Sequence, residues 1–127
     1  MVMIFQCEKV LRELIDSGIV YTFRTWEYEG RKLGKEWITY KRGGKKLGDV
    51  IVSLVSPHFV HPIKIYLEPF VQYSGFDSIE EWVKEIKKMS RVGFNDDYGN
   101  IYCVHLTSTN DDLVTKYLNG ELNGSQG

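Results

Sequence analysis

Eight of the sixteen Lys and Arg residues fall between Arg24 and Lys46: Arg24, Arg31, Lys32, Lys35, Lys41, Arg42, Lys45 and Lys46. Three acids share that 23-residue stretch, so it carries a net +5 in a chain whose total is −1, and the remainder sums to −6. Cations at this density neutralise nucleic-acid phosphates and release their counterions. Trp26, Tyr28, Trp37 and Tyr40 are interleaved with them, and aromatic faces stack on unpaired bases. Two readings stay open for the stretch. One is a solvated charged segment with its two Trp packed in the core. The other is a nucleic-acid surface on which Lys and Arg hold phosphates while Trp26 and Trp37 hold bases.

Other reactive side chains give weaker patterns. His58, His61, Cys103 and His105 suggest zinc chemistry, since imidazole and thiolate suit that ion. Cys103 and His105 share a strand face, but His58 and His61, three apart in extended chain, point to opposite faces. The sequence holds no CxxC or HExxH, so no metal or cofactor is expected. It also lacks a Walker-type glycine loop and a dinucleotide fingerprint. Asp96 and Asp97 read first as a turn.

The elements that must position these residues follow from periodicity. Val2 and Ile4 start a short strand or lead into the first helix. Val10, Leu11, Leu14 and Ile15 recur at helical spacing, and Gly18 suits a left-handed C-cap. Residues Ile19 to Arg24 read as a strand with Ile19, Tyr21 and Phe23 on one face and Val20, Thr22 and Arg24 on the other. Five glycines break up the stretch from Thr25 to Gly48, with a short strand predicted at Trp37 to Tyr40. Asp49 to Ser56 is almost continuously apolar and is predicted to be a strand covered on both faces. Ile63 to Tyr73 is predicted to be a strand bent at Pro69. Ser78 to Glu81 is a capping box that opens a helix to about Met89, with Ile79, Trp82, Val83, Ile86 and Met89 on its apolar stripe. Asn95 to Asn100 reads as a turn, Ile101 to Thr107 as a strand, and Asp111 to Leu118 as a helix capped by Asn110.

A chain of 127 residues makes one domain; residues 1–120 are assigned to it and 121–127 to a disordered tail. Strands and helices do not alternate regularly, which disfavours a doubly wound parallel sheet and favours an α+β domain on a small barrel or curved sheet. No apolar run approaches the ~18 residues of a membrane span, and the N-terminus lacks the basic lead-in of a signal peptide. A cytoplasmic chain with Cys7 and Cys103 reduced is expected, and the Asn123-Gly124-Ser125 sequon reads as chance.

Several runs resemble the ASCH domains of the PUA-like superfamily. Ser17-Gly18-Ile19-Val20-Tyr21-Thr22-Phe23-Arg24 is similar to the family's Gly-x-Lys-x-x-(Thr or Glu)-x-Arg signature, with Thr22 and Arg24 at its Thr-x-Arg end. Lys46 to Ile51 resembles the Gly-Asp turn into the next strand, Gly75-Phe76-Asp77-Ser78 the Gly-Phe-x-Ser helix start, and Ile101 to Leu106 the closing strand. The resemblance covers roughly Glu8 to Thr107. It implies a β-barrel of about five to six strands with flanking helices and a cleft faced by Thr22 and Arg24. There Arg24 would hold a phosphate or carboxylate beside the Thr22 hydroxyl, unless it pairs with an acid such as Glu68. The signature is one residue short and its lysine is missing, and the acidic position that precedes the second helix in amidohydrolase-like members falls on Ser74. The expectation is therefore an RNA-binding module without catalysis, its site formed by Thr22, Arg24, Trp26, Arg31, Lys32, Lys35, Trp37, Lys41, Arg42, Lys45 and Lys46. The alternatives are an amidohydrolase acting on a modified nucleoside and a protein-interaction module.

Overall fold

The computed structural model describes residues 2–25, 33–55, 64–89 and 99–121. Their elements are β1 (Val2–Ile4), α1 (Glu8–Ser17), β2 (Ile19–Thr25), β3 (Gly34–Thr39), β4 (Gly48–Leu54), α2 (Lys64–Leu67), a 3-10 segment (Glu68–Tyr73), α3 (Ile79–Met89), β5 (Gly99–Thr109) and α4 (Asp111–Leu118). The class is α+β, and the five strands form one sheet in the order β1-β3-β4-β5-β2. β1 runs parallel to β3, and the other neighbours are antiparallel.

The sheet curls into a half-barrel. β1 and β2 lie at opposite ends of the strand order, yet Arg24 Nη1 on β2 donates to the Ile4 carbonyl of β1 at 3.1 Å. Its guanidinium also sits 4.9 Å from the Phe5 ring centroid. The edges therefore approach each other, which shields strand groups that an open edge would leave unpaired. The concave face is lined by Val20, Val50, Val52, Val104 and Ile38, and Met3, Leu11 and Leu14 complete the same core. α1 supplies Leu11 and Leu14 from its apolar stripe and ends at Gly18, whose φ of 77° is left-handed, as its sequence predicts. On the convex side, Phe70 of the 3-10 segment packs on Tyr21 with ring centroids 5.0 Å apart.

Three expectations need correction. Residues 64–73 are helical, not a strand bent at Pro69. Leu67 is buried and Phe70 and Val71 are half-buried, and a spacing of three to four is the helical period. Pro69 then falls at the start of the 3-10 turn, where its missing N–H costs nothing. β4 is covered on one face only: Val50 and Val52 are buried, while on the other face Ile51 is 44% exposed and Ser53 is exposed too; Leu54, on the face of Val50 and Val52 at the strand end, is 41% exposed. The capping box closes one residue early. Ser78 Oγ accepts from Glu81 N–H as expected, but Glu81 Oε1 accepts from Asp77 N–H at 3.2 Å rather than from Ser78.

β3 begins at Gly34 and ends at Thr39, three residues earlier at its start than the strand expected at Trp37 to Tyr40. α4 begins at Asp111, with the Asn110 side chain accepting from Leu113 N–H. α3 buries Trp82, and Lys9 of α1 pairs with Glu81 of α3 at 3.0 Å. Cys7 and Cys103 are both free thiols. Of the turn expected at Asn95 to Asn100, residues 95–98 lie outside the described residues, and Gly99 and Asn100 are already part of β5.

Candidate nucleic-acid interface

The connection from β3 to β4 is a hairpin whose tip reads Lys41-Arg42-Gly43-Gly44-Lys45-Lys46, and all four of its cations are exposed. The tip is tied by its own backbone. Gly44 N–H donates to the Lys41 carbonyl at 2.9 Å, Thr39 Oγ1 to the Lys45 carbonyl at 2.9 Å, and Leu47 N–H to the Ile38 carbonyl at 2.8 Å. Gly43 takes a φ of 74°, a left-handed conformation that glycine adopts without strain. At Gly44 a Cβ would stand 2.4 Å from Thr39 Oγ1, so the Thr39 bond requires glycine there. Leu47 is fully buried, and its carbonyl accepts from Asn110 N–H at 2.7 Å, which fixes the hairpin base to the start of α4. The backbone of the charged tip is thus held by four hydrogen bonds, and it needs little ordering before its cations meet an anion.

Local acids temper the field of this tip. Lys46 Nζ lies 2.8 Å from Asp49 Oδ1. Asp49 also accepts from Ser108 Oγ at 2.9 Å, and Lys46, with Ser108 second, holds its carboxyl below the usual range. Asp111 and Asp112 are exposed at the start of α4. Lys41, Arg42 and Lys45 are the tip cations for which no such ion pair is formed among the described residues. Lys41 Nζ lies 5.5 Å from the Tyr40 ring centroid, and Tyr40 in turn packs on Tyr117 of α4 at 5.8 Å.

Beside the hairpin, the convex face of β3 presents Lys35 and Trp37, opposite in alternation to the buried Glu36 and Ile38. Lys35 is exposed and Trp37 half-buried. The register sets Lys35 abreast of Ile51, and Ile51 abreast of His105. Trp37 is abreast of Asp49, the partner of Lys46. Ile51, Ser53 and His105 are all exposed. Sequence reasoning singled out none of them for this surface (His105 entered only a zinc pattern), because only the long-range pairing of β3, β4 and β5 groups them with Lys35.

Thr22 and Arg24 belong to another part of the molecule. Thr22 is buried on the concave face, abreast of Tyr102. Arg24 is half-buried, its Nη1 donating to the Ile4 carbonyl and its guanidinium lying over the Phe5 ring. Ser74, at the position where amidohydrolase-like members carry an acid, is fully buried; its Oγ donates to the Val71 carbonyl and accepts from Phe76 N–H. Trp26, Arg31 and Lys32 lie outside the described residues, as do His58 and His61. Among the described residues no three His, Cys, Asp or Glu side chains come together to hold a metal ion. Cys103 and His105 do meet, with Sγ and Nδ1 3.6 Å apart. Among the described residues no helix is long and apolar enough to cross a membrane.

Comparison of the chain with protein families, with curated proteins and with solved structures finds no match.

Proposed function

We propose that this chain is a small RNA-binding module that holds phosphates at the Lys41 to Lys46 hairpin. The carrying observation is the tied hairpin tip, with four exposed cations in six residues, of which Lys46 alone is paired to an acid among the described residues. A solvated, unstructured charge run would not have a Gly44 in contact range of Thr39 or a Leu47 buried beneath it. Lys35 and Trp37 extend the surface along β3. Trp26, Arg31 and Lys32 belong to the same basic stretch and to the same proposal. Thr22 and Arg24 are reassigned within it: they support the half-barrel from inside.

The finer fold assignment is also a proposal. A curled five-strand sheet in which a helix leads into β2 at the Gly18 to Arg24 run suits an ASCH-type, PUA-like domain, and this likeness favours RNA over DNA. The test is binding of short single-stranded RNAs to the full chain at about 50 mM and about 200 mM salt. Three phosphate contacts from Lys41, Arg42 and Lys45 predict a slope of about −2 for log affinity against log salt, at ~0.7 per contact on single strands. Replacing all three by Ala should flatten that slope and remove most of the affinity. Salt-independent binding, or binding unmoved by the triple replacement, refutes the reading.

A further inference from the structure

We infer that the convex face of β3, β4 and β5 is a platform for unpaired RNA bases, centred on Trp37 and Ile51 and flanked by Lys35 and His105. The inference rests on the RNA reading above and narrows its ligand to single-stranded RNA.

Ile51 lies on β4, the middle strand of the order, where the sequence predicts cover on both faces; instead its side chain is 44% exposed. Its two neighbours across the strands are a cation, Lys35, and an imidazole, His105. Adjacent strands stand about 4.8 Å apart, so the three side chains form a continuous row. Trp37 stands two residues along β3 from Lys35 on the same face, about 7 Å away. The surface therefore offers an indole and an aliphatic side chain in its centre, with a cation at Lys35 and, past Trp37, the Asp49–Lys46 pair, whose charges offset each other. Apolar faces flanked by a cation suit an anionic chain that carries flat, weakly polar rings. Single-stranded RNA has that chemistry, whereas a duplex hides its rings within the stack.

The flank at His105 adds a polar group. Cys103 Sγ lies 3.6 Å from His105 Nδ1, which leaves Nε2 of the exposed ring to an outside partner such as a base edge. Ser53, exposed and abreast of Cys103, adds a hydroxyl next to it.

The experiment measures fluorescence anisotropy of the full chain with a labelled oligouridylate and with an RNA duplex of equal length. Wild type should bind the single strand at least about ten-fold more tightly, given the usual contribution of base–aromatic stacking. Trp37→Ala and the milder Ile51→Thr should each lower single-strand affinity by about five-fold or more while leaving duplex affinity within about two-fold. Ile51→Thr keeps a β-branched side chain at an exposed position, so it tests the platform even if Trp37→Ala disturbs the fold. Equal wild-type affinity for both RNAs, with the hairpin triple variant still abolishing binding, overturns the platform and leaves the hairpin reading standing. Unchanged single-strand affinity in Ile51→Thr overturns it too. So does self-association of the chain that Ile51→Thr abolishes while RNA affinity stays constant. Binding of neither RNA overturns both readings.

Discussion

Replacing Arg24 separates a structural tether from a phosphate ligand. Its Nη1 donates to the Ile4 carbonyl at 3.1 Å and its guanidinium lies over the Phe5 ring at 4.9 Å. A hydrogen bond with a charged partner contributes about 1.5–3 kcal/mol, and a partly buried cation over an aromatic ring about 0.5–1 kcal/mol. Arg24→Ala should therefore destabilise the fold by about 2–4 kcal/mol. With a urea m-value of about 2 kcal/mol/M, the unfolding midpoint falls by roughly 1–2 M. Arg24→Lys keeps the charge but loses the planar fork, and its midpoint should lie between the two. A double-mutant cycle with Phe5→Leu should give a coupling of about 0.5–1.5 kcal/mol, since the pair is in direct contact. Urea melts followed by tryptophan fluorescence read all of these, because Trp82 is buried. RNA affinity measured well below the unfolding midpoint should not change beyond about two-fold. A wild-type midpoint combined with a large loss of RNA affinity would refute the tether and return Arg24 to the binding surface.

Other perturbations probe the hairpin, the helix start and the buried phenol. Gly44→Ala puts a Cβ 2.4 Å from Thr39 Oγ1 and should cost about 1–3 kcal/mol in a chemical melt. Gly43→Ala meets no atom within 4 Å but must hold a φ of 74°, which should cost about 1–2 kcal/mol. Lys46→Ala should lower the salt slope less than Lys45→Ala, because Asp49 already offsets Lys46; affinity measured across a salt series checks this. Ser78→Ala removes the acceptor of the Glu81 N–H bond and should lower stability by about 1 kcal/mol. Tyr117 carries a phenol pushed from 10.0 to about 12, chiefly by burial and secondarily by the Glu8 charge. The folded chain therefore binds more protons than the unfolded chain between these values. Its contribution is complete below the unfolded pKa and is lost as pH rises through the folded one. Tyr117→Phe should remove that alkaline loss, measured as the urea midpoint against pH from 9 to about 12.

Local signals were legible where one element decides its own conformation. The stripe of Val10, Leu11 and Leu14 with Gly18 behind it, the Ser78 cap and the Asn110 cap are short-range patterns, and the structure has them at or within a residue of their predicted places. The run 64–73 misled because a loose alternation coexists with a helical spacing at Leu67, Phe70 and Val71, and burial chose the second. The apolar run of β4 misled for a different reason. Composition reports how many apolar groups a strand has, whereas cover depends on what packs against each face, and Ile51 and Leu54 stay exposed.

By itself the sequence determined the α+β class, the basic and aromatic stretch, the main helices and the absence of a familiar catalytic motif. Only the tertiary structure decided which of those residues act together. The family resemblance implied a cleft faced by Thr22 and Arg24; in the structure Thr22 is buried abreast of Tyr102, and Arg24 reaches Ile4 and Phe5. Ile51 showed no functional signal in the chain and His105 only a weak zinc pattern, whereas the β3–β4–β5 register puts Ile51 abreast of both Lys35 and His105. The physical reason is range: caps and periodicity are fixed within a few residues, while the composition of a surface depends on pairings between segments dozens of residues apart.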